Sequence, residues 1–361
     1  MIGATLFGYL FWRQMAMIGW LLVGVTALIV MIDLTETISR FSEVPGFTFA
    51  RALLLVSLHL PPILEQVLPF AVLLASMITL VRLNRRYELV VARSVGVSAW
   101  GFLLPVATAS LFVGIVSLFT LNPLAAAAVQ WDEELQASLF QRSVSSRSER
   151  ALWLRQADGR ASTIISAQNA LADGTLLRNP TFYRLSAQGE MVDRIDATSA
   201  RLAGNEWRLS NAVQSRAGEL PQVLGSARLA TNILPETIAQ RATAPEATSF
   251  LALFGRIASL ERLGLPTAPF TMQLQSLLTR PVLFVAMTLI AGTVTLRFAR
   301  FGQARSVILG GLAAAFVLYV ATVLVQAFGA AGLVPAYAAA WVPVLAALFF
   351  GATVLLRTED G

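Results

Sequence analysis

Hydrophobic positions fall in long uninterrupted blocks near both ends of this chain and in short alternating runs in its middle. The run Gln14 to Ile32 carries no charge and is bounded by Arg13 and Asp33. A membrane-spanning helix needs about 20 mainly apolar residues, so this run predicts a first span. Thr5 to Trp12, just ahead of it, predicts a short interfacial helix. Gln66 to Val81, with the Leu-rich stretch and Pro61-Pro62 before it, predicts the second span. The third falls at roughly Val97 to Leu121, inside the uncharged stretch from Ser94 to Trp131. Pro281 to Leu296 predicts most of a fourth. Ser306 to Leu356 is long enough for two more, with Gly332 and Pro335 marking the turn between them.

Between Asn122 and Ala268 the pattern changes. This stretch holds 15 Arg and 14 Asp or Glu, more than half of all charged residues in the chain. Apolar residues alternate with polar ones through Ala151 to Ser166, Thr181 to Ile195 and Ala200 to Val213, the period of a half-buried strand. Asp158-Gly159, Gln188-Gly189 and Gly204-Asn205 separate these runs and predict hairpin turns. A helical stretch, Thr248 to Leu263, follows, with Gly264 and Pro266 as stop signals. The predicted fold is an α-helical polytopic membrane protein of six transmembrane helices, with an all-β, jellyroll-like external domain inserted between helices three and four. The divisions are 1–121 for the first three spans, 122–268 for the β domain with its following helix, and 269–361 for the last three spans.

Composition narrows the chemistry. The chain is 56% hydrophobic and 13% charged, against about 25% charged residues in soluble domains. It has no Cys, so disulfides, thiolate metal sites and Cys nucleophiles are excluded. All 27 basic residues are Arg. Without Lys there is no Walker A phosphate loop and no Schiff-base chemistry. The single His, His59, leaves no HExxH motif. The net charge of +6 reflects membrane topology and not a nucleic-acid partner. The loop after the second span, Arg82 to Arg93, holds four Arg and one acid, Glu88, and the loop Arg297 to Arg305 holds three Arg and no acid. Arg13 and Arg357 fall on the same side. By the positive-inside rule both termini are cytoplasmic and the β domain lies outside. No cleavable signal peptide is evident, so the first span is expected to be a retained signal anchor.

The most informative stretch is Arg82 to Gly96. Leu83, Tyr87, Val90 and Val91 repeat with helical spacing, Arg85 and Glu88 share another face, and Gly96 suits a helix C-terminus. It reads equally as a positive-inside anchor or as a docking helix for a cytoplasmic motor. Glu65, Arg280 and His59 are ionisable residues close to or inside spans, where such groups are functional hypotheses by default. For His59 and Glu65 the competing and plainer reading is a place at the interface, where water reaches them. Arg280 either faces an inward cavity and holds a lipid phosphate, or snorkels to the interface. The acids and Arg of the β domain are scattered as on a solvated surface.

At Tyr87 to Ser98 the sequence YELVVARSVGVS resembles the "SELVVMRAxGxS" segment of the lipopolysaccharide export permeases, the LptF/LptG family; Tyr87 stands for the usual Ser and Ala92 for the usual Met. The likeness extends over nearly the whole chain, because that family also has three spans, an external β-jellyroll and three spans. Leu152 to Arg160, Glu206 to Ala212 and Phe316 to Pro335 look more like the LptG branch. The resemblance implies a non-enzymatic permease in the bacterial inner membrane, with no cofactor of its own and ATP used by a partner ATPase. Its implied partners are an LptF permease, an LptB ATPase dimer, LptC, the bridge protein LptA, lipopolysaccharide and membrane lipid. Arg82 to Gly96 would be the coupling helix, with Glu88 docking in the ATPase groove and Arg85, Tyr87, Leu89 and Arg93 beside it. Family members carry basic residues near the outer end of the first span, where this chain has Glu36 and Thr37. Arg40, Arg51 and Arg280 are the remaining head-group candidates, unless the partner permease supplies the charge or the head group is less anionic. Phe70, Phe316 and Tyr319 would line an acyl-chain cavity, or simply pack helix on helix. A sister LptF seat, a secondary transporter and a membrane scaffold or sensor are the competing readings. The third of these would need no motor.

Overall fold

A computed structural model of the chain describes residues 3–42, 48–88, 91, 94, 96–140, 152–158, 161–167, 169–171, 175–186, 190–216, 220–231, 244–262, 266–298 and 304–359. They form two compact units, one of residues 1–142 with 245–361 and one of residues 143–244.

Among the described residues of the first unit, six helices are long and apolar enough to cross a membrane. Helix α1 spans Ala4–Phe41 and absorbs the predicted interfacial helix without a break. At 1.5 Å per residue its 38 residues reach about 57 Å, beyond the roughly 30 Å of a bilayer's hydrocarbon core. Helix α2 spans Phe49–Arg85 with Pro61, Pro62 and Pro69 inside it. Interior prolines persist in membrane helices because neighbouring groups re-satisfy the backbone. Helix α3, Ala99–Val116, starts on Ser98, whose Oγ accepts from the Gly101 N–H, and runs through a π-helical turn, Ser117–Leu121, into α4, Asn122–Phe140. The predicted domain boundary at Asn122 therefore shifts. Asn122 to Gln130 is still free of charge and Ala-rich, so nothing stops the helix. The segment after the strands also joins the helical unit, as α5, Phe250–Arg262. Helices α6 (Ala268–Phe298), α7 (Ala304–Ala330) and α8 (Ala336–Glu359) complete it.

Helix α6 is the hub and packs against α2, α3, α7 and α8. Small residues permit the close crossings. A Cβ on Gly114 of α3 would lie 2.5 Å from the Pro281 Cα of α6, and one on Gly351 of α8 would lie 2.9 Å from the Leu289 Cβ. On α7, Gly311 and Ala315 face inward while Gly310, Ala313 and Ala314 are exposed, so α7 touches the bundle along a narrow line. Helix α1 is looser still, burying only Leu10, Gln14, Ile18, Thr37 and Phe41. One apolar cluster fixes the end where α1 starts and α2 and α8 finish: Leu10, Leu80, Leu83, Phe102 and Leu355.

Among the described residues, the second unit is an antiparallel sheet of nine strands: β1 (Leu152–Asp158), β2 (Ala161–Ala167), β3 (Asn169–Leu171), β4 (Leu176–Arg178), β5 (Thr181–Leu185), β6 (Met191–Asp196), β7 (Ser199–Ala203), β8 (Glu206–Ser215) and β9 (Gln222–Ala230). Its order is β1-β2-β5-β6-β8-β7-β4-β3, with β9 also on β8. The Gly204-Asn205 hairpin forms as predicted: Ala203 pairs with Glu206, and Gly204 has φ +64°, which glycine adopts at no steric cost. Asp158 pairs with Ala161 around the first predicted turn, whose Gly159 lies outside the described residues, as do Gln188 and Gly189. Inward positions alternate, and Ile165, Leu177, Phe182, Ile195, Trp207 and Leu209 make the core.

One acid breaks the expected surface pattern. Asp193 on β6 is in phase with Ile195 and is fully buried. Arg184 of β5 and Gln214 of β8 donate to it, and Arg216 Nε lies 3.9 Å away. The Arg184 guanidinium holds this carboxyl below its ordinary range against the opposing effect of burial.

Candidate functional site

The basic end of the helical unit is where the predicted docking segment leaves the bundle. Arg82 to Arg85 are the last turn of α2, and Leu83 is buried in the end cluster. Tyr87 then takes φ +59°, a left-handed conformation uncommon outside glycine. That residue turns the chain. Helical bonding resumes after it, with Val91 N donating to Tyr87 O at 2.9 Å. Gly96 has φ +89°, as a helix C-terminus favours. The predicted continuous apolar face is therefore split: Leu83 packs inward, whereas Tyr87 and Val91 are 70% and 61% exposed. Arg82, Arg85 and Arg86 are exposed. Leu89, Arg93 and Val90, the fourth residue of that predicted face, lie outside the described residues.

Glu88, directly after the break, turns back to α1. Arg13 Nη1 donates to both carboxylate oxygens, at 3.1 and 3.0 Å, and the Tyr9 hydroxyl donates to Oε2 at 3.2 Å. Arg13 also donates to the Tyr9 oxygen and sits 5.4 Å from the centre of its ring. Tyr9 and Arg13 are one helical turn apart, so they share a face. The side chains of Arg13 and Glu88 are 19% and 32% exposed. One residue along, Gln14 begins a fully buried polar chain. Its Nε2 donates to Ser76 Oγ at 2.9 Å, Ser76 Oγ lies 3.2 Å from Thr288 Oγ1, and Thr288 donates to Ser110 at 2.7 Å. Four helices, α1, α2, α3 and α6, are joined by it. Such bonds between membrane helices contribute about 0.6 kcal/mol each on average.

The opposite end carries two more polar junctions. His59 of α2 stands between two carboxylates, its Nδ1 2.9 Å from Asp33 Oδ2 of α1 and its Nε2 3.2 Å from Asp132 Oδ1 of α4. Arg280 of α6 pairs with Glu65 of α2, which also accepts from Asn122 Nδ2 at 3.0 Å; Asn122 Oδ1 in turn accepts from Phe250 N at 2.7 Å. Arg280 is thus engaged with a protein carboxylate, an arrangement its sequence position did not announce. Arg40 is exposed and pairs with Glu36 one turn away at 2.6 Å. Arg51 is exposed at the start of α2. Phe70 and Tyr319 meet each other, ring centres 5.0 Å apart, across α2 and α7, while Phe316 is 60% exposed.

Sequence reading passed over Tyr9, Gln14 and Asn122, and took Arg13 only as a topology signal. The available clue was that Glu88 is the sole acid between Arg82 and Gly96, and that Tyr9 and Arg13 share spacing on a helix ending at the same side.

Among the described residues, six helices long and apolar enough to cross a membrane, interrupted along the chain by one antiparallel sheet, define a polytopic membrane protein. The chain belongs to the lipopolysaccharide export system permease family LptF/LptG, whose sequence profile matches residues 8–357, nearly its whole length. Among individual curated proteins none matches it significantly.

Proposed function

We propose that this chain is the permease subunit of an ABC-type exporter that draws lipopolysaccharide from the outer leaflet of the inner membrane. It hands the lipid to a periplasmic bridge and leaves ATP hydrolysis to a separate ATPase. Both termini and the segment around Glu88 face the cytoplasm, and the β domain faces the periplasm. The chain takes the LptG seat beside an LptF permease, above an LptB dimer, with LptC and LptA receiving the lipid.

The observation that carries this reading is the segment after α2. It breaks from the bundle at Tyr87, exposes two apolar side chains, and presents a carboxylate with a third of its surface free among exposed Arg. A carboxylate meeting donors in a partly desolvated groove forms charge-assisted hydrogen bonds. Truncating one partner of such a pair costs roughly 2–5 kcal/mol. Glu88→Ala and Glu88→Lys are expected to weaken ATPase co-purification or to uncouple hydrolysis from lipid extraction. Undiminished export by both variants removes Glu88 from the mechanism. Lipid photo-crosslinking from positions on α1, α2 and α7 tests the substrate route.

A further inference from the structure

We infer that Arg13, with Tyr9, is a positioning residue for Glu88 that ties the docking segment to α1, so that force applied to Glu88 enters the most loosely packed span; the inference rests on the reading of Glu88 as the docking acid. Three observations carry it. The first is the clasp itself: a guanidinium bridging both carboxylate oxygens and a phenol donating to one of them. The second is capacity. A carboxylate offers about four acceptor sites, the clasp uses three, and Glu88 stays 32% exposed. A partner's donor can therefore bind Glu88 while Arg13 still holds it. The third is where the clasp leads. Helix α1 buries only Leu10, Gln14, Ile18, Thr37 and Phe41 along its 38 residues. Between Arg13 and Asp33, about 30 Å of helix, the polar contacts of its side chains with other helices, among the described residues, lie towards the two ends: Arg13, Gln14 and Met17, whose Sδ accepts from Arg82 Nη1 at 3.7 Å, at one, and Asp33 at the other. A helix held at its ends and weakly packed between them responds to a pull at one end.

A basic residue flanking a span also serves topology, and the test separates that role from the clasp. Trp12→Arg with Arg13→Gln keeps the same charge at nearly the same depth but turns it by about 100° around the helix, from a position 19% exposed beside Glu88 to one 70% exposed. Trp12 is 70% exposed and tolerates replacement. The assembled exporter is reconstituted with lipopolysaccharide, and three quantities are read: ATPase co-purification, ATP hydrolysis, and lipopolysaccharide extracted per ATP. The expected result for the shifted charge and for Arg13→Ala is retained ATPase binding with extraction per ATP reduced about tenfold, the loss that follows from removing one charge-assisted hydrogen bond. Arg13→Lys restores most of the coupling and Tyr9→Phe gives an intermediate value. Full coupling by the shifted charge overturns the clasp and leaves Arg13 a topology signal. Loss of ATPase binding in step with coupling also overturns it, by making Arg13 structural. If Glu88→Ala uncouples while the Arg13 variants do not, the clasp fails and the docking reading stands; if Glu88→Ala is silent, the docking reading itself fails.

Discussion

Asp193 shows how far a single position was readable. Alternation in β6 puts it in phase with Ile195, which is inward. The residue type argued for the surface, and the type misled, because Arg184 and Gln214, which compensate the burial, lie elsewhere in sequence. Its carboxyl is held below the ordinary range by Arg184, so its stabilising contribution is fully present above the unfolded value near 3.9 and is lost as pH falls through the lower folded value. Hydrogen exchange on the detergent-purified chain, followed from pH 7 to pH 3, is expected to show the β strands loosening only below about pH 4. Asp193→Asn should flatten that acid dependence, and Arg184→Ala should cost about 1–3 kcal/mol at neutral pH. Strands equally protected at pH 3 and pH 7 contradict the assignment. Glu88 makes the same point in reverse. Its exposure and charge were legible, but its partners lie 75 and 79 residues away and needed the fold.

At the scale of elements, the number of spans was legible and their ends were not. Six apolar stretches are a compositional fact, since lipid admits nothing else of that length. Their ends depend on helix propensity beyond the bilayer, which carries α1 back to Ala4 and the third span on to Phe140. The segment after α2 was misphased because periodicity assumes one continuous helix, and Tyr87 interrupts it. Close approach was also hidden, as Gly114 looks like any glycine in a span. With a Cβ 2.5 Å from the Pro281 backbone, Gly114→Ala must push α3 from α6 and is expected to cost about 1–3 kcal/mol. Gly310→Ala, on the exposed face of α7 with nothing within 4 Å, should be neutral or slightly stabilising. Thermal denaturation in detergent distinguishes them, and equal midpoints refute the crossing.

For the whole molecule, topology is the quantity most open to a direct check. The native chain has no cysteine, so single-cysteine variants report sidedness without a background to remove. Ser226→Cys, on the exposed strand β9, should react with a membrane-impermeant maleimide in intact spheroplasts. Arg357→Cys should react only after lysis. The opposite pattern inverts the orientation and, with it, the proposed function. The charge bias among loops is what predicts this orientation. The partition of residues between the two units was less legible, because Asn122–Phe140 and Phe250–Arg262 are charged enough to resemble the soluble part yet fold with the helices.

The prolines of α2 have a mechanical consequence. Pro61, Pro62 and Pro69 deprive the carbonyls of Ser57, Leu58 and Glu65 of their rungs in the helical ladder. From Phe70 to Arg85 no further proline interrupts the ladder. A thrust at the basic end, such as the proposed coupling would deliver, would travel along a stiff shaft and meet compliance first at Glu65 and then beside His59, where the polar junctions to α1, α4 and α6 are anchored.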